Sequence, residues 1–136
     1  MHFALQVALP LNTRMLPRTR QAVAGYLEEV ATDDETVHDV ILALDEACTN
    51  VIRHAFPGAP DSQYQVTAVV DDGEVRITVE DHGVGFDPAR MDDDWVAPEA
   101  TSGRGLSIIQ SVMSSVDVSQ PDADGGTRLV MRKTLH

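Results

Sequence analysis

Four short stretches of this sequence carry residue types suited to binding a phosphorylated ligand. In DEACTNVIRHAF (45–56), three hydrogen-bonding side chains, Glu46, Asn50 and Arg53, interrupt an otherwise apolar helical pattern. At 100° per residue, Asn50 lies about 40° from Glu46, with Arg53 about 20° to its other side. The three share one stripe, expected opposite the apolar face. Such a stripe is also what an ordinary solvated helix face with i,i+4 and i,i+7 neighbours presents. Asn is a poor helix former, however, and its mid-helix position asks for a reason.

The second stretch is Asp81-x-Gly83-x-Gly85-Phe86, directly after a strand pattern. The glycines would let a backbone approach a ligand closely, and a fixed carboxylate there can accept from an amino group such as that of adenine. A plain strand-ending turn has the same form. The third, Ser102-Gly103-Arg104-Gly105-Leu106, reads as a glycine-rich loop opening a helix, where free N–H groups and the positive helix end suit phosphate. It lacks the lysine and hydroxyl residue of a P-loop and does not follow a strand as a Rossmann fingerprint would. Gly125-Gly126-Thr127, the fourth, is by itself a turn before a strand.

These stretches must be held by the elements between them. FALQVAL (3–9) alternates as a strand, and PRTRQAVAGYLEEV (17–30) reads as an amphipathic helix with Pro17 in its first turn. TDDE (32–35) has capping-box form, with Thr32 as the cap and Glu35 reaching back. It opens a helix whose apolar residues run from Val37 to Ala55. QYQVTAVV (63–70) and EVRITVED (74–81) are alternating strands joined at Asp71-Asp72-Gly73, a hairpin signal. Residues 81–105 show no periodicity, and a loop of that length is usually functional. GLSIIQSVMSSV (105–116) reads as a helix, and VDVS (116–119) and TRLVMRKTL (127–135) as two closing strands. The order β-α-α-β-β-loop-α-β-β predicts a two-layer α/β sandwich, its mixed and mainly antiparallel sheet covered on one face by helices.

The chain has 136 residues, 43% hydrophobic and 24% charged, which fits one domain with a real core. No apolar run reaches the roughly 18 residues of a membrane span, and the start lacks a signal peptide's basic region, so a cytoplasmic protein without membrane contact is expected. The single cysteine, Cys48, permits no internal disulfide and reads as a core residue. A net charge of −12 argues against direct nucleic-acid binding and points to proteins or small ligands as partners. Arg14, Arg18 and Arg20 fall close together and form either a basic patch for an acidic partner or an exposed helix face.

In order and spacing, the four stretches resemble the N, G1, G2 and G3 boxes of the GHKL ATPase superfamily, with its Bergerat-type ATP-binding fold. The compact form, with a short lid, looks most like the anti-sigma factor serine/threonine kinases of bacteria, which also begin with a strand and a helix. The resemblance implies ATP and Mg²⁺ as cofactors. It gives Asn50 the metal, Glu46 the role of general base, and Asp81 the adenine amino group. Gly83, Gly85 and Thr127 would shape that pocket. Gly103, Arg104, Gly105 and Leu106 would lie against the phosphates, and Arg53 would meet a phosphate or pair with Glu46. His54 is expected to be structural, and the aspartates of MDDDW (91–95), in the presumed lid with Trp95, to point to solvent.

A histidine kinase would need a phosphoaccepting helical domain, for which the residues before the second helix leave no room. Two functions follow. The first is a kinase that phosphorylates an anti-anti-sigma antagonist and otherwise sequesters a sigma factor, which the resemblance places near the first helix of a homodimer, with the first strand expected to mediate dimerisation at a sheet edge. The second is an ATP-binding regulatory module that controls partners by binding alone. A complete set of Glu46, Asn50, Asp81 and the glycine pairs favours the first.

Overall fold

The computed structural model describes residues 3–10, 13–30, 32–54, 63–81, 101–119 and 127–135, with no side-chain description at 3, 13, 53, 54 and 101–106. Five strands form one sheet: β1 (Phe3–Pro10), β2 (Gln63–Asp71), β3 (Glu74–Asp81), β4 (Ser115–Ser119) and β5 (Thr127–Thr134), in the order β1-β2-β3-β5-β4. Each of these pairings is antiparallel. Alternation explains the strands: Tyr64, Val66, Ala68, Val75, Ile77, Val79, Leu129 and Met131 are buried on one face. The hairpin turn between β2 and β3 is Asp72-Gly73, with φ of 51° and 73°. Positive φ at both central residues is what a type I′ turn requires, and Asp-Gly supplies it at little cost.

Among the described residues, three helices cover the buried face of the sheet. A short 3₁₀ turn, Thr13–Met15, leads into α1 (Leu16–Glu29), which has proline in its first turn and buries Val23 and Leu27. Helix α2 (Asp34–His54) packs on α1, on β3 and β5, and on α3 (Thr101–Val112). Its cap differs from the expected one: the Thr36 N–H donates to Asp33 Oδ1 at 2.9 Å, and the Val37 N–H to the Asp33 carbonyl at 3.0 Å. Asp33 is therefore the capping residue in place of Thr32. A carboxylate at this position also complements the positive helix end, which a threonine hydroxyl does only weakly.

Three further expectations are corrected. Helix α3 begins at Thr101 and ends at Val112, so the Gly103–Gly105 stretch lies within its first turns rather than in a loop before it. Packing against α2 outweighs the helix penalty of two glycines, about 1 kcal/mol each. The strand expected from Val116 begins at Ser115. The polar stripe of α2 also does not lie opposite the core. Asn50 is 2% exposed, and Thr36 and Ala43, about 80° and 60° round the helix from Glu46, are buried as well. The buried arc of α2 therefore reaches into the stripe.

Candidate functional site

The β3–β5 ladder ends, among the described residues, on the rung that pairs Asp81 with Thr127. Both side chains take the helix-facing side of the sheet, at 2% and 0% exposure. A carboxylate and a hydroxyl at that depth are costly unless their polar atoms find partners. Asp81 is engaged elsewhere, yet its Oδ2 accepts no hydrogen bond, and the Thr127 Oγ1 has no partner among the described residues. A ligand group that both donates and accepts would satisfy this pair.

Helix α2 supplies the second half of the site. Asn50 is buried, and its Nδ2 donates to nothing among the described residues while the residue is held by another contact. Glu46, one turn earlier, is half-buried and open to solvent on one side. Asn50 thus lies deeper than the stripe opposite the core that the sequence pattern led one to expect. The Arg53 side chain lies outside the described residues, as do Gly83 and Gly85 and the MDDDW run.

The approach of α3 to α2 is fixed by the only lysine in the chain. Lys133 Nζ, at an inward-facing position of β5, donates to the Val112 carbonyl at 2.6 Å and to Asp39 Oδ2 at 3.0 Å. The lysine thereby satisfies a carbonyl at the negative end of α3 and ties it to the first third of α2. Helix α3 packs on α2 with its C-terminal end beside Asp39. The backbone of Gly103, Arg104, Gly105 and Leu106 forms the opposite, N-terminal end of α3. Asp39 and Lys133 were missed by sequence reasoning, although two signals were present. Asp39 sits about 20° from Glu46 on the same stripe, and a lysine breaks the inward apolar series Leu129, Met131.

Elsewhere the expectations divide. Cys48 is fully buried, and burial pushes its thiol up to about 12, with Asp45 adding in the same direction and the nearby Tyr64 hydroxyl opposing them. It is a core residue and not a reactive thiol. The Tyr64 hydroxyl faces it without forming a well-shaped hydrogen bond and is itself pushed upwards by burial. In the basic group, Arg14 and Arg18 are exposed, but Arg20 pairs with Asp45 at 2.8 Å and so links α1 to α2. Among the described residues no helix is long and apolar enough to cross a membrane.

Comparison with known proteins agrees with this geometry. The family model described as "Histidine kinase-like ATPase domain" matches residues 9–133. The chain is 34% identical over 121 residues to the anti-sigma F factor of Oceanobacillus iheyensis, covering 85% of this chain and 82% of that protein. It is 26% identical over 145 residues to the serine-protein kinase RsbW of Listeria monocytogenes, covering 100% of this chain and 90% of the relative. The fold is similar to the crystal structure of the RsbU and RsbW domains of Rv1364c from Mycobacterium tuberculosis. That match has a TM-score of 0.74 at 21% identity and covers 98% of this chain and 32% of the other.

Proposed function

Because the chain belongs to the family of histidine kinase-like ATPase domains, we propose that it is an anti-sigma factor with serine/threonine kinase activity. It binds ATP with Mg²⁺, phosphorylates a protein antagonist and, when free of that antagonist, holds a sigma factor. The observation that carries the reading is the buried Asp81–Thr127 rung at the end of the β3–β5 ladder, a polar pair that an adenine edge would suit. The names of the relatives, an anti-sigma F factor and a serine-protein kinase, support the choice of partners.

The residues present fit ATP and a hard cation. Asp81 would accept from the adenine amino group, and Thr127 would stand beside it as donor or acceptor. The Asn50 amide oxygen is a suitable Mg²⁺ ligand. Among the described residues no group of three acidic, histidine or cysteine side chains forms a metal cage, so such an ion would take most of its ligands from phosphate and water. The N-terminal backbone of α3, with Gly103 and Gly105, would face the phosphates, as helix starts do for anions. Bound ATP would supply the γ-phosphoryl group. Glu46, half-exposed one turn from Asn50, would take the proton from the acceptor hydroxyl as it attacks. Arg53, Arg104 and Leu106 complete the binding set in this reading, with Gly83 and Gly85 lining the base pocket. The active unit is a homodimer.

The test is a native pull-down with this chain as bait, with and without Mg-ATP, reading co-purified proteins and their phosphosites by mass spectrometry. A sigma factor together with an antagonist bearing new phosphoserine or phosphothreonine is the expected result. Partners that carry no phosphate would overturn the kinase activity and leave regulation by binding alone.

A further inference from the structure

Behind the Asp81–Thr127 rung, on the sheet face turned away from the helices, lies an ion pair with no part in the chemistry above. Glu80 and Arg128 are register partners, each one residue inside the terminal pair. Arg128 donates from Nε to Glu80 Oε2 at 2.7 Å, and its Nη2 approaches the same oxygen at 2.6 Å. The Glu80 side chain is only 13% exposed, against 42% for Arg128, so the guanidinium covers a carboxylate largely withdrawn from water. Two short charge-assisted contacts to one oxygen hold the two strands at a fixed spacing.

We propose that Glu80 and Arg128 are positioning residues of the nucleotide-base site, clamping the end of β3 to the end of β5 so that Asp81 and Thr127 meet the adenine edge as a fixed pair. This role rests on the nucleotide reading above. Successive side chains point to opposite faces of a sheet, so a link at 80 and 128 leaves the inner face free for ligand while setting the backbone beneath it. The placement along the ladder is selective. The next two rungs on the outer face are Thr78–Val130, without charge, and Arg76–Arg132, with two like charges. Arg132 turns instead to Asp117 at 3.0 Å and Glu74 at 3.7 Å. Of the ion pairs described between β3 and β5, the one beside the site is the shorter, 2.6 Å against 3.7 Å for Arg132 with Glu74, and it sits where strand ends would otherwise fray.

The test compares affinities for ATP and for inosine triphosphate, which carries an exocyclic carbonyl oxygen where adenine carries its amino group, by titration calorimetry. Wild type is expected to prefer ATP by about ten-fold or more, since a buried acceptor left facing another oxygen is penalised. Arg128→Gln and Glu80→Gln should each reduce that preference by about three-fold, chiefly through weaker ATP binding, and Arg128→Lys, which keeps the charge, should restore most of it. Melting temperatures measured alongside identify any variant that fails to fold, and the other two then decide. A merely structural role would weaken both nucleotides by one factor. An equal loss for both, or an unchanged preference, overturns the positioning role while leaving the nucleotide site intact. A wild-type protein that binds both nucleotides equally removes the Asp81 contact and this role together.

Discussion

Asp81 and Thr127 stand directly opposite each other across β3 and β5, and both are withdrawn from solvent. A rung this polar at the inner end of a sheet costs stability in the free protein, and that cost separates what folding wants from what ligand binding wants. The two can be measured apart.

Thr127→Val keeps the β-branched shape and removes a hydroxyl whose oxygen has no partner among the described residues. The free protein should gain about 1 kcal/mol in urea unfolding, because a buried unsatisfied group is lost. ATP affinity should fall several-fold in calorimetry. A loss of stability would mean that the hydroxyl already serves the fold.

Glu46→Gln preserves size and removes the base. Phosphotransfer to the antagonist should drop by about 10²–10⁴-fold in a radiolabel assay, the usual contribution of a positioned base. ATP affinity should stay within a few-fold of wild type. Equal loss of binding and transfer would reassign Glu46 to holding nucleotide.

Lys133→Met should destabilise the protein by about 2–3 kcal/mol, since it strands the Asp39 carboxylate and the Val112 carbonyl at a site only 22% exposed. Adding Asp39→Asn should recover part of this, about 1 kcal/mol, because the stranded charge is then gone. Strictly additive losses in denaturant titrations would show that the two side chains do not act as a pair.

Alkaline pH should expose the Cys48 environment. Its thiol is raised from 9.0 to about 12 in the fold, so between these values the unfolded chain loses a proton that the native state keeps. Stability should hold below about pH 9 and fall as pH rises towards about 12. Tyr64, raised in the same direction, contributes with the same sign. A Cys48→Ala variant should show a shallower fall in urea midpoint between pH 8.5 and 10, two pH values chosen to be roughly either side of the ordinary thiol range. Identical slopes would remove the thiol from the balance.

The hairpin, the first helix and the inward place of Asp81 on its strand were readable in the sequence because each rests on local chemistry. Asp-Gly dictates its turn, and period-2 alternation dictates which side of β3 carries Asp81. The depth of Asn50 was not readable. It depends on how α2 packs on α1, α3 and the sheet, which no local pattern in the sequence encodes. The start of α3 was hidden for the opposite reason: two glycines announce a loop, and only the packing of α3 on α2 overrules them. Lys133 and Asp39 lie 94 residues apart, and no local pattern links them.

The strand order β1-β2-β3-β5-β4 has a consequence for how the molecule opens. β2 with β3, and β4 with β5, are neighbours in sequence, whereas β3 meets β5 only across residues 82–126. That seam carries the largest loop-closure entropy among the inner pairings of the sheet. Asp81 belongs to one side of it and Thr127 to the other, so a ligand held by both would staple the seam. Amide hydrogens along β3 and β5 should then be the ones whose exchange slows most when nucleotide is bound, ahead of those in either hairpin.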